Sequence, residues 1–176
     1  MQFTKDTFYI TLRDRLATVN PSRIISWNGT TRPAIVVAEN EVVVPVTPLP
    51  DAFYLEWGVA QPIPQQIGDF AIYSLECVIS YHTFGSVESG VDRGRSLASL
   101  DNDLLSITQP ATAPKLDYTQ TPPTNLGTSI VWSTPVLGKV VGSEALRNEG
   151  LPRGTPGIRL ERSATVTVFF FPEVSF

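Results

Sequence analysis

The chain has 176 residues, enough for one domain with long loops or a small accessory lobe. Its net charge of −4 argues against generic nucleic-acid binding through an overall basic surface, and its single cysteine excludes an internal disulfide and a cysteine-based zinc site. Fifteen prolines fall in clusters, which points to extended loops rather than disorder throughout. No apolar run approaches the roughly 20 residues of a membrane helix, and Met1-Gln2-Phe3-Thr4-Lys5-Asp6 lacks an apolar signal region. The expectation is a soluble protein made in a reducing cytosol, with Asn28-Gly29-Thr30 a chance sequon.

Thr4 to Val19 reads as a helix, with Phe8, Leu12, Leu16 and Val19 on one stripe and Lys5, Arg13 and Asp14 off it. Thr4 is placed to cap it, Asp6 suits its first turn, and Asn20-Pro21 ends it. Arg23 to Trp27 reads as a short strand turned at Asn28-Gly29, followed by a β-branched strand from Ala34 to Ala38. Val42 to Val44 starts another, which runs into three prolines between Pro45 and Pro50 and so belongs at a sheet edge. Asp51 to Trp57 alternates as a strand, and Pro62 to Gly68 reads as a loop.

Ala71 to Tyr81 is the strongest strand in the chain. Tyr73, Leu75, Cys77, Ile79 and Tyr81 share one face, and Ser74, Glu76 and Ser80 share the other. Such a strand is stable only when neighbours cover its apolar face. Cys77 on that face reads as a buried, inert thiol. Asp92 to Ile107 reads as a second helix, with Leu97, Leu100, Leu104 and Ile107 as its stripe.

Three long loops are expected, at about 45–68, 108–128 and 138–158; the middle one carries four prolines and the last is glycine-rich. Ile130 to Leu137 has strand character, anchored by Trp132. Leu160 to Phe171 alternates again, with Leu160, Ala164, Val166, Val168 and Phe170 on one face. No period of 20–50 residues repeats. The predicted fold is α+β over residues 1–176: a single, mostly antiparallel or mixed sheet with two helices packed on one face, plus long loops.

Chemistry-bearing patterns are sparse. His82 is the one histidine, expected at the solvent edge, and no Gly-X-Ser-X-Gly elbow, His-Glu-X-X-His or P-loop accompanies it. Asp101 and Asp103 resemble a fragment of a calcium loop but lack the glycine and closing glutamate, so they read as a solvated helix face. Arg93 and Arg95 sit near a helix start, where they would hold an anion, pair with a neighbouring subunit's carboxylates, or simply form a solvated helix end. Lys139, Arg147, Arg153, Arg159 and Arg162 concentrate basic charge in and beside the third loop, a candidate partner surface. No catalytic, cofactor or metal residue is assigned. The candidate subunit or partner contacts are Arg93, Arg95, Asp101, Asp103, Lys139, Arg147 and Arg153.

The order of elements resembles the tail terminator proteins of tailed bacteriophages, which cap the tail tube and join it to the head. Thr4 to Val19 is similar to that family's opening helix, and Arg32-Pro33-Ala34-Ile35-Val36-Val37 with Glu39-Asn40-Glu41 to its next strand and turn. Leu75 to Tyr81 followed by Asp92 to Ile107 is similar to its strand-to-helix step, and Arg162 to Phe171 to its closing strand.

The resemblance implies a virion structural protein, not an enzyme and without a cofactor, assembled in the host cytoplasm. It implies a six-subunit ring meeting the tail tube on one face and the head connector or adaptor on the other, and the sheath protein as well if the tail contracts. DNA would pass through the lumen without specific binding, which a net negative chain suits. A head completion or stopper protein of the same neck is the nearest alternative. From other classes, a monomeric ligand-binding domain or a small hydrolase using His82 with a loop carboxylate would also account for the residues.

Overall fold

Helix α1, Gln2–Val19, buries Thr4, Thr7, Phe8, Leu12 and Leu16, a stripe at spacings of three and four that faces the core. Its N-cap is Met1, and the Thr4 and Lys5 amides donate to the Met1 carbonyl. Thr4 is therefore not the cap: it lies inside the helix and fully buried. Asp6 lies beyond the first turn, where it accepts from Gln2 at 2.8 Å. Val19 is half-exposed, so the stripe ends one turn early. The computed structural model describes residues 1–27, 29–39, 49–64, 71–85, 92–142 and 159–172.

Strands β1 (Ile24–Trp27) and β2 (Thr30–Pro33) form a separate antiparallel hairpin, with Gly29 at φ 77° in its turn, a conformation that favours glycine. The main sheet runs in the order β3 (Ile35–Val37), β4 (Phe53–Ile63), β5 (Ile72–Thr83), β10 (Leu160–Phe170), β7 (Thr124–Trp132), β6 (Thr112–Asp117). Among the described residues only the β3–β4 pair is parallel; the rest is antiparallel. The predicted Val42 to Val44 strand lies outside the described residues.

The strongest sequence strand sits at the centre of this sheet. Leu75, Cys77, Ile79 and Tyr81 of β5 are buried, as are Ala164, Val166, Val168 and Phe170 of β10, which pair with the same-face residues of β5 in strict register. Cys77 is fully enclosed, and burial pushes its thiol pKa well above the ordinary value, which leaves it protonated and inert.

On its far side β10 is met by three consecutive pieces: β7, β8 (Val136–Leu137) and β9 (Val141–Gly142). Trp132 faces Val168, Leu137 faces Ala164 and Gly142 faces Leu160, so each step of four residues on β10 takes five on its partner. The partner strand is broken and bulged, but it keeps the apolar face of β10 in phase. At one break the Gly138 amide donates to the Ser163 carbonyl at 2.8 Å; a Cβ on Gly138 would lie 2.8 Å from the same oxygen, so a side chain there would force the strands apart.

Both helices pack on the face formed by the buried residues. Helix α2, Asp92–Ile107, buries Leu97, Leu100, Leu104 and Ile107 against β5 and β10 and lies beside α1. Phe8 of α1 meets Trp57 and Trp132 edge-on, at centroid distances of 5.6 and 5.2 Å. Trp132 is the anchor its position predicted: its indole donates to the Thr108 carbonyl at 2.8 Å, and the Arg15 guanidinium lies over its ring.

Within the two predicted loops, most of the described residues of 45–68 and about half of 108–128 are strand. Strand β4 runs on to Ile63, through a bulge in which Gly58 and Val59 oppose Glu76 alone, and Pro62 sits where β3 no longer pairs. Residues 112–132 form the β6–β7 hairpin, despite its prolines, because β6 is an edge strand. Helix α1 seals that edge. Arg15 donates to the Thr112 carbonyl at 3.1 Å, Pro114 has no amide to offer, and the Thr7 hydroxyl accepts from the Leu116 amide at 3.1 Å and donates to its carbonyl at 3.4 Å. Of the third predicted loop, 138–158, the described part holds β9 at its start.

Candidate functional site

The helices cover one face of the sheet; on the other, Leu49 and Phe84 lie against Tyr54 and His82 at one end, and no described helix or strand covers the rest. The side chains of this second face form rows across the strands, fixed by the registers. One row holds His82 and Glu161, the next Tyr54, Ser80 and Ser163, and the next Glu56, Val78, Thr165 and Val136. Glu76 and Thr167 follow, then Gln61, Ser74, Phe169, Val131 and Thr112. Hydroxyls alternate with single apolar groups, and Val136 is 70 % and Val131 49 % exposed. Glu56 and Glu76 are exposed, and neither has an ion-pair partner among the described residues.

Two hairpins leave the body of the sheet at the same end. In β4, which pairs with β5 there, Val59 in the bulge and Gln61 and Pro62 beyond it are exposed. In β7, Thr124 to Gly127 are exposed; the strand reaches about six residues past the last described residue of β10, or roughly 20 Å at 3.4 Å per residue.

At the opposite end the bare face dips into a concavity of about 430 Å³, lined by Tyr54, Glu56, His82, Lys139, Arg159 and Glu161 among others. His82 is 4 % exposed rather than at the solvent edge. Its ring meets Phe84 edge-on at 5.5 Å, and its Nε2 has no hydrogen-bond partner among the described residues. Burial lowers its pKa below the ordinary value, helped by Arg159 and opposed by Glu161 and Asp51. Arg159 pairs with Glu161 at 2.9 Å.

The neutral state of His82 predicts a pH response. The unfolded chain takes up a proton near pH 6.5 that the folded chain resists, so stability falls as pH drops below about 6.5, by at most about 1.4 kcal/mol per pH unit. The His82→Gln variant, compared with wild type by urea denaturation between pH 7.5 and 5, should lose that slope. Equal slopes would show that the buried ring is protonated without cost.

The other predicted site residues separate into two groups. Asp101 accepts from the Tyr81 hydroxyl and from Arg162, each at 2.6 Å. Burial, then this hydrogen bond, raises the Tyr81 pKa. Asp103 accepts from Asn20 at 2.8 Å and forms a short ion pair with Arg23. Neither aspartate is on a solvated helix face: both tie α2 to other elements of its own chain. Arg93 is half-buried, packed against Gly85, where φ is 61° and a Cβ would come within 2.6 Å of the Arg93 Cγ. Arg95 is exposed on the outer side of α2, and Lys139 is exposed at the rim of the concavity. Arg147 and Arg153 lie outside the described residues.

Glu56 and Glu76 were not singled out by sequence reasoning. The signal was present in the polar alternation of β5 and in the count of helices, since two helices on one side of a sheet leave the other side bare. Among the described residues no group of three or more His, Cys, Asp or Glu side chains is arranged to hold a metal ion. No helix is long and apolar enough to cross a membrane. The chain matches no protein-family model, and no curated protein matches it in sequence.

Proposed function

We propose that this chain is a structural subunit of a tailed-phage neck: a tail terminator that caps the tail tube and joins it to the head connector, as a six-subunit ring around the DNA channel. The observation that carries the reading is the distribution of surface. Both helices lie on one side, and the opposite sheet face and two outstretched hairpins are left to meet other chains. The resemblance in element order supports the same reading.

The roles divide accordingly. The hairpin end offers extended strands with exposed backbone, the form of surface that docks against a ring of tube subunits. The net charge of −4 suits a protein that lets DNA pass without holding it.

The test is the mass of the purified protein in solution across concentrations, with and without purified tail tube protein. A species of six chains, alone or on the tube, is expected. Binding to the portal-side adaptor in place of the tube would identify a stopper protein. A strict monomer that ignores both would overturn the neck reading, and the concavity beside His82 would then direct attention to a ligand-binding domain.

A further inference from the structure

We infer that the bare sheet face is a subunit interface, covered by the outer side of helix α2 of a second copy, with Arg95 of one copy set against Glu56 and Glu76 of the next. This rests on the ring reading and gives it a surface.

The chemistry is complementary and the two patches lie on opposite layers of the domain. Glu56 and Glu76 project from the open face, exposed and without an ion-pair partner among the described residues. The obvious acidic candidates on α2 are not available for such a contact, because Asp101 and Asp103 are engaged by Tyr81, Arg162, Asn20 and Arg23. Arg95, by contrast, is exposed and has no partner among the described residues. It heads an exposed stripe with Ala98, Asn102 and Leu105 at helical spacing. Ala98 on that stripe leaves room for the helix to approach a flat surface, and Leu105 offers an apolar contact for the exposed Val136.

The dimensions are compatible: α2, 16 residues at about 1.5 Å each, is about 24 Å long, and four strands of about ten residues at about 4.8 Å spacing and 3.4 Å per residue give a face about 19 by 34 Å on which it can lie. Because the two patches differ and lie on opposite sides, the contact is head-to-tail, and such contacts repeat around a closed ring when the rotation closes.

Charge reversal tests the pairing. Assembly is followed by mass against concentration, with tail tube protein added in a parallel series. Glu76→Arg, Glu56→Arg and Arg95→Glu are surface changes, and circular dichroism confirms that each variant folds. Each single reversal should raise the concentration needed for assembly by about tenfold or more. A chain carrying both Glu76→Arg and Arg95→Glu should recover part of that loss, since the charges at these two positions again oppose while Glu56 is unchanged. Rings that form equally well in every single variant would overturn this interface and leave the neck reading standing. Singles that fail without recovery in the double variant would show that Arg95 and Glu76 do not face one another. No species above a monomer in either series would overturn both.

Discussion

Replacing Phe8 by alanine should cost about 3–5 kcal/mol of unfolding free energy and lower the melting temperature by about 10 °C. Phe8 is fully buried and is held edge-on between Trp57 of β4 and Trp132 of β7, so one ring joins helix α1 to two separated strands. Removing it opens a void between two indoles whose positions are fixed by their strands, and that cavity adds to the lost transfer energy. Urea denaturation measures the loss. Val136→Ala, on the bare face and 70 % exposed, should change stability by less than about 0.5 kcal/mol and serves as the control. A loss below about 1 kcal/mol for Phe8→Ala would mean that the tryptophans close over the gap and that α1 is held by other contacts.

Asp103→Ala should be comparably costly, for a different reason. The Asp103 and Arg23 side chains are each about nine-tenths buried, and Asp103 also accepts from Asn20. Truncating the acid leaves the Arg23 guanidinium enclosed with only the Ser99 hydroxyl and the Asp51 carbonyl, which do not replace a carboxylate. Removing one partner of such a pair costs about 3–5 kcal/mol, whereas exchanging both for apolar groups of similar volume is often neutral. Arg23→Met with Asp103→Leu should therefore lie closer to wild type than either single change. If the double change is as unstable as the sum of the singles, the pair contributes attraction rather than merely avoiding a stranded charge.

The parts of this fold that were legible are those governed by one strong local pattern. Helix α2 matches its predicted bounds, and the central strand and the closing strand pair along their whole alternating faces. The parts that were not legible depend on tertiary neighbours. Pro114 and Pro110 made residues 108–128 look like loop, yet an edge strand tolerates a missing amide when a helix lies along it. Asp101 and Asp103 looked like solvent-facing charges because Arg162 and Asn20 are far away in sequence. His82 looked like a rim residue, but β5 continues to Thr83 and carries it under Phe84. Of the candidate surface, Arg95 and Lys139 were found by residue type alone; Glu56 and Glu76 needed the knowledge of which face the helices leave open.

The sealed margin of β6 bears on how copies of this chain can grow together. At that margin Arg15 takes the Thr112 carbonyl, Pro114 has no amide, and the Thr7 hydroxyl takes both groups of Leu116. A neighbour therefore meets no free amide on Thr112, Pro114 or Leu116, and extension of the sheet by strand-on-strand stacking from that side is disfavoured. Growth by that route has no natural end and leads to fibres. Contacts made through side chains on broad surfaces carry a fixed rotation from one copy to the next, and where that rotation closes the assembly counts its members and then stops.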